Sequence, residues 1–133
     1  MKWRGCLQER IARKGTNKDH EILFEQSKNT FETAQTILNG PEKQRSKLLL
    51  LYDAVRERLE GIAVKHGYDI HNHECYKAFL KEVLNKSQLS KKFNKSRVLR
   101  NKLEYDGYQL TEQQAKQEKQ SLREQYIMLR KLS

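Results

Sequence analysis

Apolar residues recur along this chain at steps of three and four, the spacing that gathers them on one face of a helix. No segment alternates cleanly between apolar and polar, as a half-buried strand would. Trp3, Leu7 and Ile11 predict one short amphipathic helix that Gly15 breaks. Residues 1–18 therefore read as a basic N-terminal segment whose helix patches a groove on the remainder. A long helix follows from Asp19, a good N-cap side chain, to Leu38, with Phe24, Phe31, Ala34 and Leu38 on one face and small Ser27 between them. Asn39-Gly40-Pro41 stops it, because glycine permits a left-handed end and proline cannot continue the hydrogen-bond ladder.

The same grammar continues to the C-terminus. A second long helix runs from about Glu42 to His66 on the stripe Leu48, Leu51, Tyr52, Val55, Leu59, Ile62 and Ala63, and Gly67 closes it. A third starts after Asn72, with Tyr76, Phe79, Leu80, Val83 and Leu84 inward. A fourth spans roughly Ser87 to Tyr105 on Leu89, Phe93, Ser96, Leu99 and Leu103, and Gly107 ends it. Thr111 with Gln114 three positions on forms a capping-box pattern that opens the last helix, whose apolar face is Ala115, Leu122, Tyr126 and Leu129. The pattern predicts an all-α fold, an antiparallel up-and-down bundle of four long helices plus a short one, over residues 19–133.

Composition narrows the class. At 133 residues one domain is the default. The longest apolar stretch, Leu48 to Tyr52, is far short of the ~20 residues of a membrane span. No apolar region follows Met1-Lys2-Trp3-Arg4, so a secretory signal is not expected and the expected location is the cytoplasm. In that compartment Cys6 and Cys75 read as free thiols. The net charge of +10 favours anionic partners such as nucleic acid, nucleotide phosphate or an acidic protein.

The surplus is uneven. Between Glu82 and Glu104 stand seven Lys or Arg residues and no acid. A solvated helix ordinarily alternates charge sign, since opposite charges at i, i+4 stabilise it and like charges do the reverse. Lys91, Lys92, Lys95, Arg97, Arg100, Asn101 and Lys102 are thus candidate phosphate or nucleic-acid contacts. Arg97 and Arg100 stand one turn apart, with planar forks suited to phosphate oxygens. The alternative is a solvated basic face, or an arginine held by a carboxylate such as Glu104.

The order Arg100-Asn101-x-Leu103-x-Tyr105-x-Gly107 at the close of the fourth helix resembles the signature of HEPN domains. The resemblance extends upstream to Leu51-Tyr52-Asp53-Ala54-Val55-Arg56-Glu57-Arg58-Leu59-Glu60, to His66-Gly67-Tyr68 and to His73-Glu74-Cys75-Tyr76-Lys77-Ala78-Phe79-Leu80. In all it covers about residues 19–131. It implies a homodimer that binds RNA or nucleotide phosphate. It implies, alternatively, a metal-independent endoribonuclease of toxin–antitoxin or defence type, in which an Arg-x4–6-His motif from each subunit meets across the dimer, or an accessory subunit beside a small nucleotidyltransferase. Matched by position, Arg100 is the motif arginine, Asn101 the polar residue after it, and Tyr105 stands where the histidine belongs.

That departure bears on chemistry. Cleavage through the ribose 2′-hydroxyl needs a group that exchanges a proton near neutral pH; histidine at ~6.5 serves, whereas tyrosine at ~10 stays protonated. Arg100 and Tyr105 are therefore the catalytic candidates, with Tyr105 better suited to donating a hydrogen bond or stacking on a base. His66 or His73 remains open as a displaced histidine. His71-x-His73-x-Cys75 is a poor metal site because residues 73 and 75 point to different faces of a helix capped at Asn72, and neither metal nor cofactor is expected. Asp53, Arg56, Glu57 and Glu60 read as a surface ladder on the second long helix. No phosphate-cradling Gly-Lys-Ser/Thr loop, dinucleotide fingerprint or nucleophile elbow is present.

Overall fold

The structure is a computed structural model that describes residues 1–38 and 40–133. It is an all-α bundle carrying a two-stranded ribbon. The elements are α1 (Trp3–Gln8), β1 (Ala12–Lys14), α2 (His20–Thr36), α3 (Gln44–Lys65), β2 (Tyr68–Ile70), α4 (His73–Ala78), α5 (Ser87–Tyr105) and α6 (Glu112–Leu132). No helix among the described residues is long and apolar enough to cross a membrane.

The hub is α3, with α2, α5 and α6 packed around it. Its stripe is buried as the spacing predicts: Leu48, Leu51, Tyr52, Val55, Leu59, Ile62 and Ala63 are each at most 2 % exposed. Helix α2 approaches α3 closely at Gly61, where an added Cβ would lie 2.5 Å from the Phe24 ring. Ser27 is fully buried and donates its hydroxyl to the Ala54 carbonyl, so a small polar residue fits a position where the helices leave little room. Asp19 accepts from the Glu21 N–H as the N-cap of α2. The helix ends two residues before the expected limit, because Ile37 is extended, and Leu38 is 78 % exposed instead of joining the apolar face. Asn39, one of the three residues read as the stop, lies outside the described residues.

Asn72 caps α4 by accepting from the Cys75 N–H. The chain then widens into a π-helical turn over Phe79–Val83 and leaves it at Asn85, in the left-handed region at φ 56°. Helix α5 has the expected limits, and Thr111 and Gln114 exchange both hydrogen bonds of a capping box ahead of α6.

The N-terminal segment departs from expectation twice. Its helix stops at Gln8, Arg10 turns at φ 59°, and residues 12–14 pair antiparallel with 68–70, Ala12 opposite Ile70. Strands of three residues are too short to show a period, and the partner is more than fifty residues away, so nothing local announces them. The second departure is that Cys6 and Cys75 are joined in a disulfide rather than free. The fold brings their Cα atoms to 5.9 Å, inside the range that a disulfide spans, across 69 residues of sequence. Together with Trp3, which is 8 % exposed and meets the Tyr68 ring edge-on at 5.1 Å, the bridge ties residues 1–14 to the bundle, with Trp3, Cys6 and Ala12 in its core.

Candidate anion-binding site

Helix α5 distributes its basic residues over opposite sides. At about 100° per residue, Lys91, Lys95 and Lys102 fall within an arc of about 40°, while Arg97 and Arg100 lie on the far side of the axis. Phe93, 1 % exposed, and Leu103, 5 % exposed, bury the faces that join the helix to the bundle. What the sequence presents as one basic run is therefore two surfaces.

The arginine surface is the more constructed of the two. Arg100 lies with its guanidinium carbon 5.8 Å from the ring centroid of Tyr52 on α3 and 5.8 Å from that of Tyr105. The Tyr52 hydroxyl is hydrogen-bonded to His73 Nδ1 in the first turn of α4. Three helices thus meet here: Tyr52 from the buried stripe of α3, His73 behind the Asn72 cap of α4, and Arg100 from α5.

Electrostatics tie the cluster together. Burial, reinforced by the charges of Arg56, Arg100 and Arg97, pushes His73 down from 6.5 to about 4. Burial raises the Tyr52 hydroxyl far above its ordinary value, opposed by the same three arginines. Burial also raises the Asp53 carboxyl, against the pull of Arg56 and Arg100. At pH 7, then, Tyr52 keeps its proton and His73 is neutral. With Tyr52 protonated, His73 Nδ1 can accept from its hydroxyl, and in that tautomer the ring proton lies on Nε2. A neutral imidazole held in this way is a hydrogen-bond donor beside three guanidinium groups.

The arginines differ in how well they are matched. Arg56 Nη1 pairs with Glu60 at 3.3 Å. Arg100 has Glu104 4.0 Å from its Nε and donates to the Asn101 amide oxygen at 3.4 Å, and its buried Nε has no hydrogen-bond partner. Arg97 is held by a neutral group, donating from Nε and Nη2 to the Asn94 amide oxygen at 3.1 and 3.0 Å. Among the described residues, one guanidinium charge is thus positioned without a carboxylate, and a second is incompletely satisfied. Such a site accepts an anion with little rearrangement.

Compared with family models, with curated proteins and with solved structures, the chain matches none.

The remaining sequence candidates are placed as follows. Asn101 orients Arg100, and Tyr105, 72 % exposed, lies over the same guanidinium. Lys92 points to α6 and pairs with Glu124 at 3.4 Å. Lys91, Lys95 and Lys102 line a groove between α5 and α6 that no arginine lines and that meets the arginine side at Asn94. Of the two open histidines, His73 reaches the site, whereas His66 closes α3 with Nδ1 2.9 Å from the Ile62 carbonyl. His71 pairs with Asp69 and Cys75 is in the disulfide, and among the described residues no three His, Cys, Asp or Glu gather as a metal site. Tyr52 and Arg56 were hidden in the sequence by their ordinary roles, a core stripe and an i, i+4 ladder. Their signal is that they stand one turn apart, on a face of α3 that also carries Asp53.

Proposed function

We propose that this chain is a HEPN-like, homodimeric helical-bundle protein that binds RNA or nucleotide phosphate on the arginine face of α5. The observation that carries the reading is that Tyr52, His73 and Arg100 from three helices meet at one surface, on the side of α5 where Arg97 is held by the neutral Asn94. Arg97 and Arg100 would take the phosphate oxygens, His73 Nε2–H would donate a further hydrogen bond, and the exposed Tyr105 ring would stack on an adjacent base. Exposed Tyr105 beside the cluster also gives the dimer an apolar contact to bury. The same reading keeps the expectation of a cytoplasmic location, where the Cys6–Cys75 bridge, both residues 0 % exposed, would be shielded from solvent thiols.

The test is fluorescence anisotropy with a labelled 12-nucleotide single-stranded RNA over a salt series. Affinity should fall steeply with salt, because each neutralised phosphate releases counterions. Arg97→Ala with Arg100→Ala should weaken binding at least tenfold and reduce the salt slope by about 1.4 (about 0.7 per contact on a single strand). An unchanged affinity in that variant refutes the site. Light scattering checks the dimer, against a monomer mass of 15.9 kDa.

A second reading, the metal-independent endoribonuclease, is favoured by the place of His73 beside Arg100. Its depressed pKa suits phosphate binding better than proton exchange at pH 7, but a bound phosphodiester adds negative charge and raises it toward neutrality. Incubation with RNA in EDTA should then give cyclic-phosphate ends that disappear in Arg100→Ala and in His73→Gln. Absence of cleavage at micromolar protein eliminates this reading and leaves the binding one standing.

A further inference from the structure

The lysine side of α5 forms a second surface that the phosphate-binding reading does not use. Between α5 and α6 runs a groove of about 640 Å³. Its floor is apolar: Val98, 41 % exposed, with Leu99 and Leu110. Its rim on the α5 side is cationic, carrying Lys91, Lys95 and Lys102, with Lys77 of α4 continuing the line. The opposite rim, on α6, is neutral where Gln114, Gln117 and Ser121 stand. The acid within it, Glu118, is 9 % exposed, accepts from the Ser96 hydroxyl at 2.6 Å and feels the charge of Lys95, so it offsets the rim only at that one lysine.

Charge and shape together select an occupant. A nucleic-acid strand would satisfy the lysines and could stack on Tyr108, but it would bring no aliphatic surface to cover Val98, Leu99 and Leu110. An amphipathic helix with an acidic flank satisfies both: its apolar stripe covers the floor and its carboxylates meet the lysines. From Lys91 to Lys102 the rim extends about 16 Å along α5, which corresponds to about 11 helical residues, or three turns. Lysines are suited to this task because they are flexible point charges, whereas the forked geometry of Arg97 and Arg100 belongs to the opposite face. We propose that the α5–α6 groove is a docking site for an acidic amphipathic helix of a partner protein, separate from the arginine site.

The experiment uses the full chain and a fluorescein-labelled 14-residue peptide with leucines at positions i, i+3, i+7 and i+10 and glutamates on the flanking positions. A scrambled peptide of the same composition and the 12-nucleotide RNA serve as controls. Val98→Glu is placed on an exposed position so that the bundle still folds, as circular dichroism would verify, and Lys95→Glu reverses one rim charge. The patterned peptide should bind at least tenfold tighter than the scrambled one. Each groove variant should weaken it at least fivefold, and Arg97→Ala should change it less than twofold. Val98→Glu should leave RNA affinity within twofold of the parent. Equal binding of the two peptides overturns the proposal, as does insensitivity to both groove variants. Loss of RNA binding in Val98→Glu would mark the groove as nucleic-acid surface and overturn it as well. Failure of the arginine site to bind RNA leaves the peptide result readable on its own.

Discussion

Opening the Cys6–Cys75 bridge is the perturbation with the largest calculable effect on this fold. The bridge closes a loop spanning 69 residues, about half of the chain. In the chain-entropy treatment, −2.1 − 1.5R ln n cal/mol/K for n near 70 gives about 4.4 kcal/mol at 25 °C, lost from the folded state when the unfolded chain is freed. With an unfolding entropy of about 2.1 cal/mol/K per residue, a chain of this length has about 280 cal/mol/K at its midpoint, so Tm should fall by about 15 °C. The contacts that remain resist only in part. Trp3 stays packed on Tyr68 and Phe79, its backbone N–H donates to the Glu82 carboxylate at 2.7 Å, and strands 12–14 and 68–70 remain paired.

Thermal melts by circular dichroism, with and without a phosphine reductant, measure this directly, and Cys6→Ala with Cys75→Ala checks it without reagent. Because Trp3 is the one tryptophan of the chain, its fluorescence reports on the N-terminal segment while the circular dichroism reports on the helices. The expected result is a coincident transition about 15 °C lower by both probes. A reduced protein melting within about 3 °C of the oxidised one would refute the entropy argument. If Trp3 were released well below the helical transition, the bridge would act on docking of residues 1–14 and not on the whole bundle.

Two further outcomes follow from particular residues. Gly61→Ala gains about 1 kcal/mol of helix propensity but forces a methyl group into the Phe24 ring, which the Arg58 guanidinium pins from 4.2 Å above; overpacking of about 1–3 kcal/mol wins, so urea unfolding should show net destabilisation, and a stabilised variant would refute the close crossing. His73 titrates at about 4 when folded and at 6.5 in the ordinary reference, so between those values the unfolded chain binds more protons; stability should therefore fall as pH drops from about 6.5 to 4, His73→Gln should flatten that part of the profile, and an unaltered profile would show that His73 is not held neutral.

The elements themselves were legible because their signals are local. Asn72, Thr111 with Gln114, and the unbroken stripe from Leu48 to Ala63 state where helices start and which face is buried, and the structure places them so. The features that escaped depend on contacts distant in sequence. The Ala12–Ile70 pairing, the Cys6–Cys75 bridge and the His73–Tyr52 hydrogen bond join residues separated by up to 69 positions, and none has a periodicity to betray it. Leu38 differs for another reason: the apolar spacing continues past Thr36, but the backbone there turns extended. In the site, Arg97 and Arg100 were readable as an exception to charge alternation, but the depth that makes them a site comes from α3 and α4, which supply Tyr52, Arg56 and His73.

The acid-free run of α5 is costly to the helix and so calls for a cause outside it. Lys91 and Lys95 stand at i, i+4 and Arg97 and Arg100 at i, i+3, and each like-charged pair disfavours the helix by about 0.2–0.5 kcal/mol where an opposite pair would favour it by as much. Burial of Leu89, Phe93 and Leu103 holds the helix regardless, at about 1.5–3 kcal/mol for each side chain. The charges are therefore neither required by the fold nor able to break it. Partners within the chain absorb some of them, Glu124 for Lys92 and Glu104 for Arg100. Of those left over, Arg97 is held on the neutral Asn94 on one side, three lysines stand along an apolar groove on the other, and Lys86 sits at the N-cap. A helix selected only for solubility would mix lysine and arginine around its circumference. The segregation of forked, pre-positioned cations from flexible ones is what two anionic ligands of different shape would require, and it connects the one anomaly of the sequence to both surfaces of the structure.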